Sequence, residues 1–157
     1  MPESDSLQDS LNAAYRYLSY RPRSEAEIRH RLHRRGFSNE VVEKALISLR
    51  EHHLSDDATF AQFWKDNRLS FRPKSKRLIQ KELREKHVAA EIVDQVTRDI
   101  DDEAIAYELG SARMHTLAHL DYPHFYRRLS SYLAYRGFSY EVVRHTVALL
   151  WQEGQRH

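Results

Sequence analysis

The chain contains no cysteine, and only four glycines and four prolines among its 157 residues. Without thiols it can form neither disulfides nor thiolate metal sites. So few glycines leave no phosphate-cradling loop: neither GxxxxGK[ST] nor GxGxxG occurs, so nucleotide hydrolysis by this chain is not expected. A GxSxG nucleophile elbow is also missing. No segment alternates apolar and polar residues long enough to argue a sheet. No run approaches the ~20 apolar residues of a membrane-spanning helix, and the opening "MPESDSLQDS" lacks the basic and apolar regions of a secretory signal. These absences predict a soluble, cytoplasmic protein with no membrane association.

What is present is charge and aromatic bulk. Charged residues make up 31% and hydrophobic residues 41%, with two Trp, nine Tyr and six Phe, a composition suited to a folded, strongly solvated protein. Formal net charge is only +2, yet the cations are concentrated. Lys65, Arg68, Arg72, Lys74, Lys76, Arg77, Lys81, Arg84 and Lys86 face only Asp66, Glu82 and Glu85 in the same segment, whereas residues 99–103 hold four carboxylates. A polyanion responds to this local excess, because screening hides the distant compensating charge.

The chain also repeats itself. "LSYRPRS" at 18–24 returns as "LSFRPKS" at 69–75, and the segments 28–49, 79–100 and 129–150 superpose without a gap. Apolar positions stay in register: Ile28, Leu32, Phe37, Val42 and Leu49 match Ile79, Leu83, Val88, Val93 and Ile100, then Leu129, Leu133, Phe138, Val143 and Leu150. That spacing is helical.

Pro22, Pro73 and Pro123 share one repeat position and predict the end of one helix before the next begins. Ser24 with Glu27 predicts a capping box, Gly36 a stop, and Ser38 the next start. Gly137 and Ser139 repeat the stop and start, but the middle copy has His87 and Ala89 there and should be less ideally capped. The expected fold is all-α: three tandem three-helix repeats over 7–54, 55–102 and 103–154, about nine helices of ~10 to 15 residues, stacked into an elongated, curved array.

In their order and spacing, "RSEAEIRHRL" at 23–32, "LSDDATFA" at 54–61 and "LAYRGFS" at 133–139 resemble the RecX family of recombination regulators. The resemblance spans nearly the whole chain. It implies a monomer that binds the RecA recombinase filament on single- or double-stranded DNA. It also implies modulation, in the direction of inhibition, of filament assembly, ATPase and strand exchange in recombination, repair and the SOS response. The alternative is a DNA-binding module of helix-turn-helix type, since a trihelical unit can place a helix in the major groove.

With Ile79 and Leu83 turned inward, Arg77, Lys81 and Arg84 form a basic stripe at i, i+4 and i+7. A solvated helix face would look the same. The excess of cations in this segment, Arg68 among them, and the placing of Arg72, Lys74 and Lys76 just before the helix N-terminus favour a surface facing a filament or another polyanion. Arg21 and Arg23, matched by Arg72 and Lys74, flank the echoed proline and complete the candidate contact set.

Other features are assigned to structure. Arg35, Lys86 and Arg136 occupy one repeat position in a last helical turn, where the macrodipole favours a cation without any ligand. Tyr20 and Phe71 are expected to pack, and Asp56-Asp57 and Asp101-Asp102 to cap helices. His115, His119 and His124 have no HExxH or cysteine with them, so neither a metal nor any other cofactor is expected, and no residue has a catalytic assignment.

Overall fold

The computed structural model describes residues 3–156, with side chains from Ser6 onward. Among the described residues the chain forms nine helices and no strand: α1 Glu3–Leu18, α2 Glu25–Arg34, α3 Asn39–Glu51, α4 Asp57–Phe71, α5 Lys76–Glu85, α6 Ala90–Thr97, α7 Asp102–Leu117, α8 Tyr122–Tyr135 and α9 Tyr140–Gln155. No described helix is long and apolar enough to cross a membrane. The all-α reading in three tandem trios therefore holds.

Local chemistry accounts for most boundaries. The Ser24 hydroxyl accepts the Glu27 N–H while the Glu27 carboxylate accepts the Ser24 N–H, completing the predicted capping box of α2. Ser38 and Ser139 cap α3 and α9 in the same way, each accepting the N–H three residues on. Gly36 and Gly137 end α2 and α8 with φ of 94° and 92°, the left-handed region that a Cβ disfavours. In the middle copy His87 adopts φ 61° at that corner, and α6, which follows Ala89, is the shortest helix at eight residues.

The third copy departs from expectation. Pro22 and Pro73 lie in the link before a serine cap, but α7 ends at Leu117 and Asp121 caps α8, so Pro123 lies inside the first helical turn. Proline is tolerated there because the N–H it lacks would have no helical acceptor. Where the first two copies place the buried caps Ser24 and Ser75, the third places fully buried Phe125. An aromatic core residue has replaced the cap, and the cap has moved four residues upstream.

By their internal contacts the residues divide into two units, one of residues 1–65 and 82–96, the other of 66–81 and 97–157. In the first, α1, α2 and α3 close over Leu11, Ala14, Ile28, Leu32, Val42, Leu46 and Leu49. Phe60, Leu83 and Val93 from the middle copy are also buried in this unit. In the second, α7, α8 and α9 close over Ala106, Phe125, Leu129, Leu133, Val147 and Leu150, with the Trp151 ring 5.1 Å from that of Phe125. The middle copy has no unit of its own. A repeat of some 50 residues buries too little surface alone and spends its apolar side chains on its neighbours.

Candidate functional site

Of the nine candidate contact residues, Arg21, Arg23 and Arg84 belong to the first unit, and Arg68, Arg72, Lys74, Lys76, Arg77 and Lys81 to the second. On α5 the predicted sidedness is present: Ile79 and Leu83 are fully buried, whereas Arg77, Lys81 and Arg84 are exposed. Arg72 is exposed just after α4, and Arg68, Lys74 and Lys76 are half-buried. The Lys76 backbone N–H, at the first position of α5, donates to the Asp102 carboxylate at 2.9 Å. That N–H is therefore already satisfied by a carboxylate of the chain itself.

Arg21 and Arg23 are engaged within the first unit. Arg21 pairs with Glu27 at 2.7 Å and lies 5.8 Å from the Phe60 ring centroid and 5.7 Å from that of Trp64. Arg23 stacks on Tyr17 at 3.9 Å and donates to the Tyr17 carbonyl. Tyr20 and Phe71, expected to pack, are instead 78% and 77% exposed. They share one repeat position, immediately before Arg21 and Arg72. Tyr20 lies just past the end of α1 and Phe71 is the last residue of α4, so each ring stands at a helix end.

Burial would raise the Glu27 carboxyl, but hydrogen bonds from Arg21, the Ser24 N–H and Lys86 outweigh it and hold the group below its ordinary range. The Lys86 ammonium sits 3.2 Å from Glu27 and 5.4 Å from the Trp64 ring centroid. The macrodipole account of the repeat position Arg35, Lys86 and Arg136 is thus incomplete. Lys86 reaches back to the first copy, and Arg136 reaches back to the second, donating to the Pro73 carbonyl at 2.9 Å. Arg35, the member in the first of these three copies, is exposed.

A second contact, missed in the sequence, also repeats. Asp56 and Asp101 cap α4 and α7 as expected. Asp57 and Asp102 do something else: each accepts the first backbone N–H of the previous copy's middle helix, from Glu25 and Lys76 respectively. The paired aspartates were visible as a signal, but their division of labour depends on how the copies fold together. Among the described residues no group of three or more His, Asp or Glu side chains is arranged to hold a metal. His115 is on α7 and His119 beyond its end.

Tandem trihelical copies joined by backward-reaching cations and aspartates define a helical-repeat protein. Family comparison specifies which kind. Residues 11–49, 56–96 and 101–147 match, in order, the models described as RecX first, second and third three-helix domain. The chain belongs to the RecX family. It is 34% identical to the regulatory protein RecX of Prosthecochloris aestuarii over 147 residues, covering 94% of this chain and 96% of that one. It is 30% identical to that of Chlorobium limicola over 149 residues, covering 95% and 94%. The crystal structure of RecX from Lactobacillus salivarius has the same fold, with a TM-score of 0.80 at 20% identity over 94% of this chain and 97% of that one.

Proposed function

We propose that this protein binds the RecA recombinase filament on DNA and restrains its assembly, ATPase and strand exchange, acting as a regulator without catalysis of its own. The reading rests on membership of a family whose relatives are named regulatory proteins. The observation that carries the choice of surface is the sidedness of α5, where Arg77, Lys81 and Arg84 are exposed and Ile79 and Leu83 are buried. Arg72 and the half-buried cations Arg68, Lys74 and Lys76 extend that basic segment. Arg21 and Arg23 also belong to the candidate set, Arg21 held by Glu27 and Arg23 stacked on Tyr17.

The deciding experiment measures the recombinase's DNA-dependent ATPase with and without the protein, and with an Arg77→Ala, Lys81→Ala, Arg84→Ala variant. The wild type should lower the rate and the triple variant should lower it less. No effect of the wild type removes the functional reading; an equally active triple variant removes only the α5 surface. If the cations meet six or more phosphates, binding should weaken about 10³-fold or more between roughly 50 and 200 mM salt.

A further inference from the structure

The third copy, whose turn lacks the basic residues of the first two, has a different concentration of positive charge. Between α7 and α8 lies a cleft of about 570 Å³ to which α7 contributes Arg113 and α8 contributes Arg127, Arg128, Ser131 and Tyr132. No acidic residue lines it. Among the described residues, none of the three guanidinium groups is paired with a carboxylate. Elsewhere in this protein arginines find carboxylates readily: Arg21 has Glu27, Arg29 has Glu43 and Arg50 has Glu25.

We propose that this α7–α8 cleft is a second binding site, for the phosphodiester backbone of a nucleic-acid strand. Arg113 stacks on Tyr132 with its guanidinium carbon 3.9 Å from the ring centroid. Stacking restricts the side chain while leaving the N–H groups on the rim of the guanidinium to donate. Arg127 and Arg128 are exposed, one helical turn before Ser131 and Tyr132, and the exposed Ser131 hydroxyl adds a neutral donor.

Three like charges in one concavity repel one another until anions enter. A single carboxylate is planar, is satisfied by one bidentate guanidinium and neutralises one charge. Successive phosphodiesters bring one charge each, and their tetrahedral oxygens accept from donors set at several angles. The donor set therefore fits a phosphate chain better than an acidic side chain.

This site rests on the proposed work at a DNA-bound filament but lies on a surface other than α5, and it can be tested with no recombinase present. The probe is a fluorescently labelled oligothymidylate, titrated with the full chain at several salt concentrations and followed by anisotropy. Arg127→Gln with Arg128→Gln should weaken binding and flatten the logarithmic salt dependence by about 1.4, and adding Arg113→Gln by about 2, at roughly 0.7 per lost single-strand phosphate contact. Arg127→Lys with Arg128→Lys should retain the slope.

Because Arg127 and Arg128 are exposed, their replacement should leave the helical circular dichroism and melting temperature unchanged, which separates lost binding from lost folding. Unchanged affinity and slope in the triple variant would overturn the site. So would a variant that binds the oligonucleotide normally but loses its effect on the recombinase ATPase, since the cleft would then face protein carboxylates. Failure of the regulatory reading is seen separately, as a wild-type protein that leaves the ATPase unaltered.

Discussion

The carboxylate of Asp57 accepts the backbone N–H of Glu25 at 2.8 Å, across 32 residues of sequence, joining the start of α4 to the start of α2. Burial pushes the Asp57 carboxyl above its ordinary value of 3.8, with the Glu25 N–H opposing the shift. A carboxyl raised on folding holds its proton longer in the native state. Its stabilising share is therefore present at low pH and falls as pH rises from the unfolded value through the folded one. Asp57→Asn keeps an acceptor oxygen and should cost well under about 1 kcal/mol, whereas Asp57→Ala leaves the helix N–H without its partner and should cost about 1–2 kcal/mol. Urea unfolding of both variants across acid pH measures the difference, and the Asn variant should lose the pH component assigned to this group.

Glu27 has the opposite sign. Its carboxyl is held low by Arg21, Ser24 and Lys86 against the effect of burial. Its contribution is complete above the ordinary value of 4.5 and is lost as pH falls through the depressed folded value. Glu27→Gln should reduce stability by about 2 kcal/mol at neutral pH, since it removes charge-assisted hydrogen bonds beside half-buried cations. Lys86→Met alone should cost less. The two changes together should cost less than their sum, a coupling that a double-mutant cycle reads directly.

Two glycines at one repeat position should respond differently to alanine. At Gly36 an added Cβ meets nothing within 4 Å, so Gly36→Ala should cost only the left-handed strain of about 1–2 kcal/mol. At Gly137 it would lie 2.4 Å from Leu78 Cγ and 2.5 Å from Ser75 Oγ. There the overpacking adds about 1–3 kcal/mol to the same strain. Thermal melts of the two variants should rank Gly137→Ala well below Gly36→Ala.

His87 occupies the corner where the other copies have glycine, and adopts φ 61°. Replacing it by glycine relieves the left-handed strain but adds freedom to the unfolded chain, so His87→Gly should stabilise by about 0.5–1 kcal/mol. Hydrogen exchange at the start of α6 should slow in the variant. An unchanged or lower stability would mean that the imidazole makes contacts worth more than the strain.

Boundary chemistry was legible in the sequence because it is local. Ser24, Glu27, Ser38 and Ser139 act on backbone groups three residues away, and the two corner glycines on their own φ. The register of apolar positions was legible for the same reason, since a helix repeats every 3.6 residues whatever packs against it. Pro123 was misread because the fate of a proline depends on where the cap falls, and Phe125 had taken the place of the capping serine. Tyr20 and Phe71 were misread because one follows the end of α1 and the other is the last residue of α4, where the helical period no longer shows which way a ring faces.

The sequence by itself determined that the chain is helical, threefold repetitive and a RecX relative, with its cations concentrated around α5. Those properties are written in spacing and composition. Only the tertiary structure decided what each charge meets. Lys86 meets Glu27 across 59 residues, Arg136 meets the Pro73 carbonyl across 63, and Asp102 meets the Lys76 N–H across 26. A side chain's charge is a property of its residue type, but its partner depends on which remote backbone the fold brings within hydrogen-bonding distance. The same reason hid the cleft of Arg113, Arg127 and Arg128, whose members share no motif and come together only where α7 packs on α8.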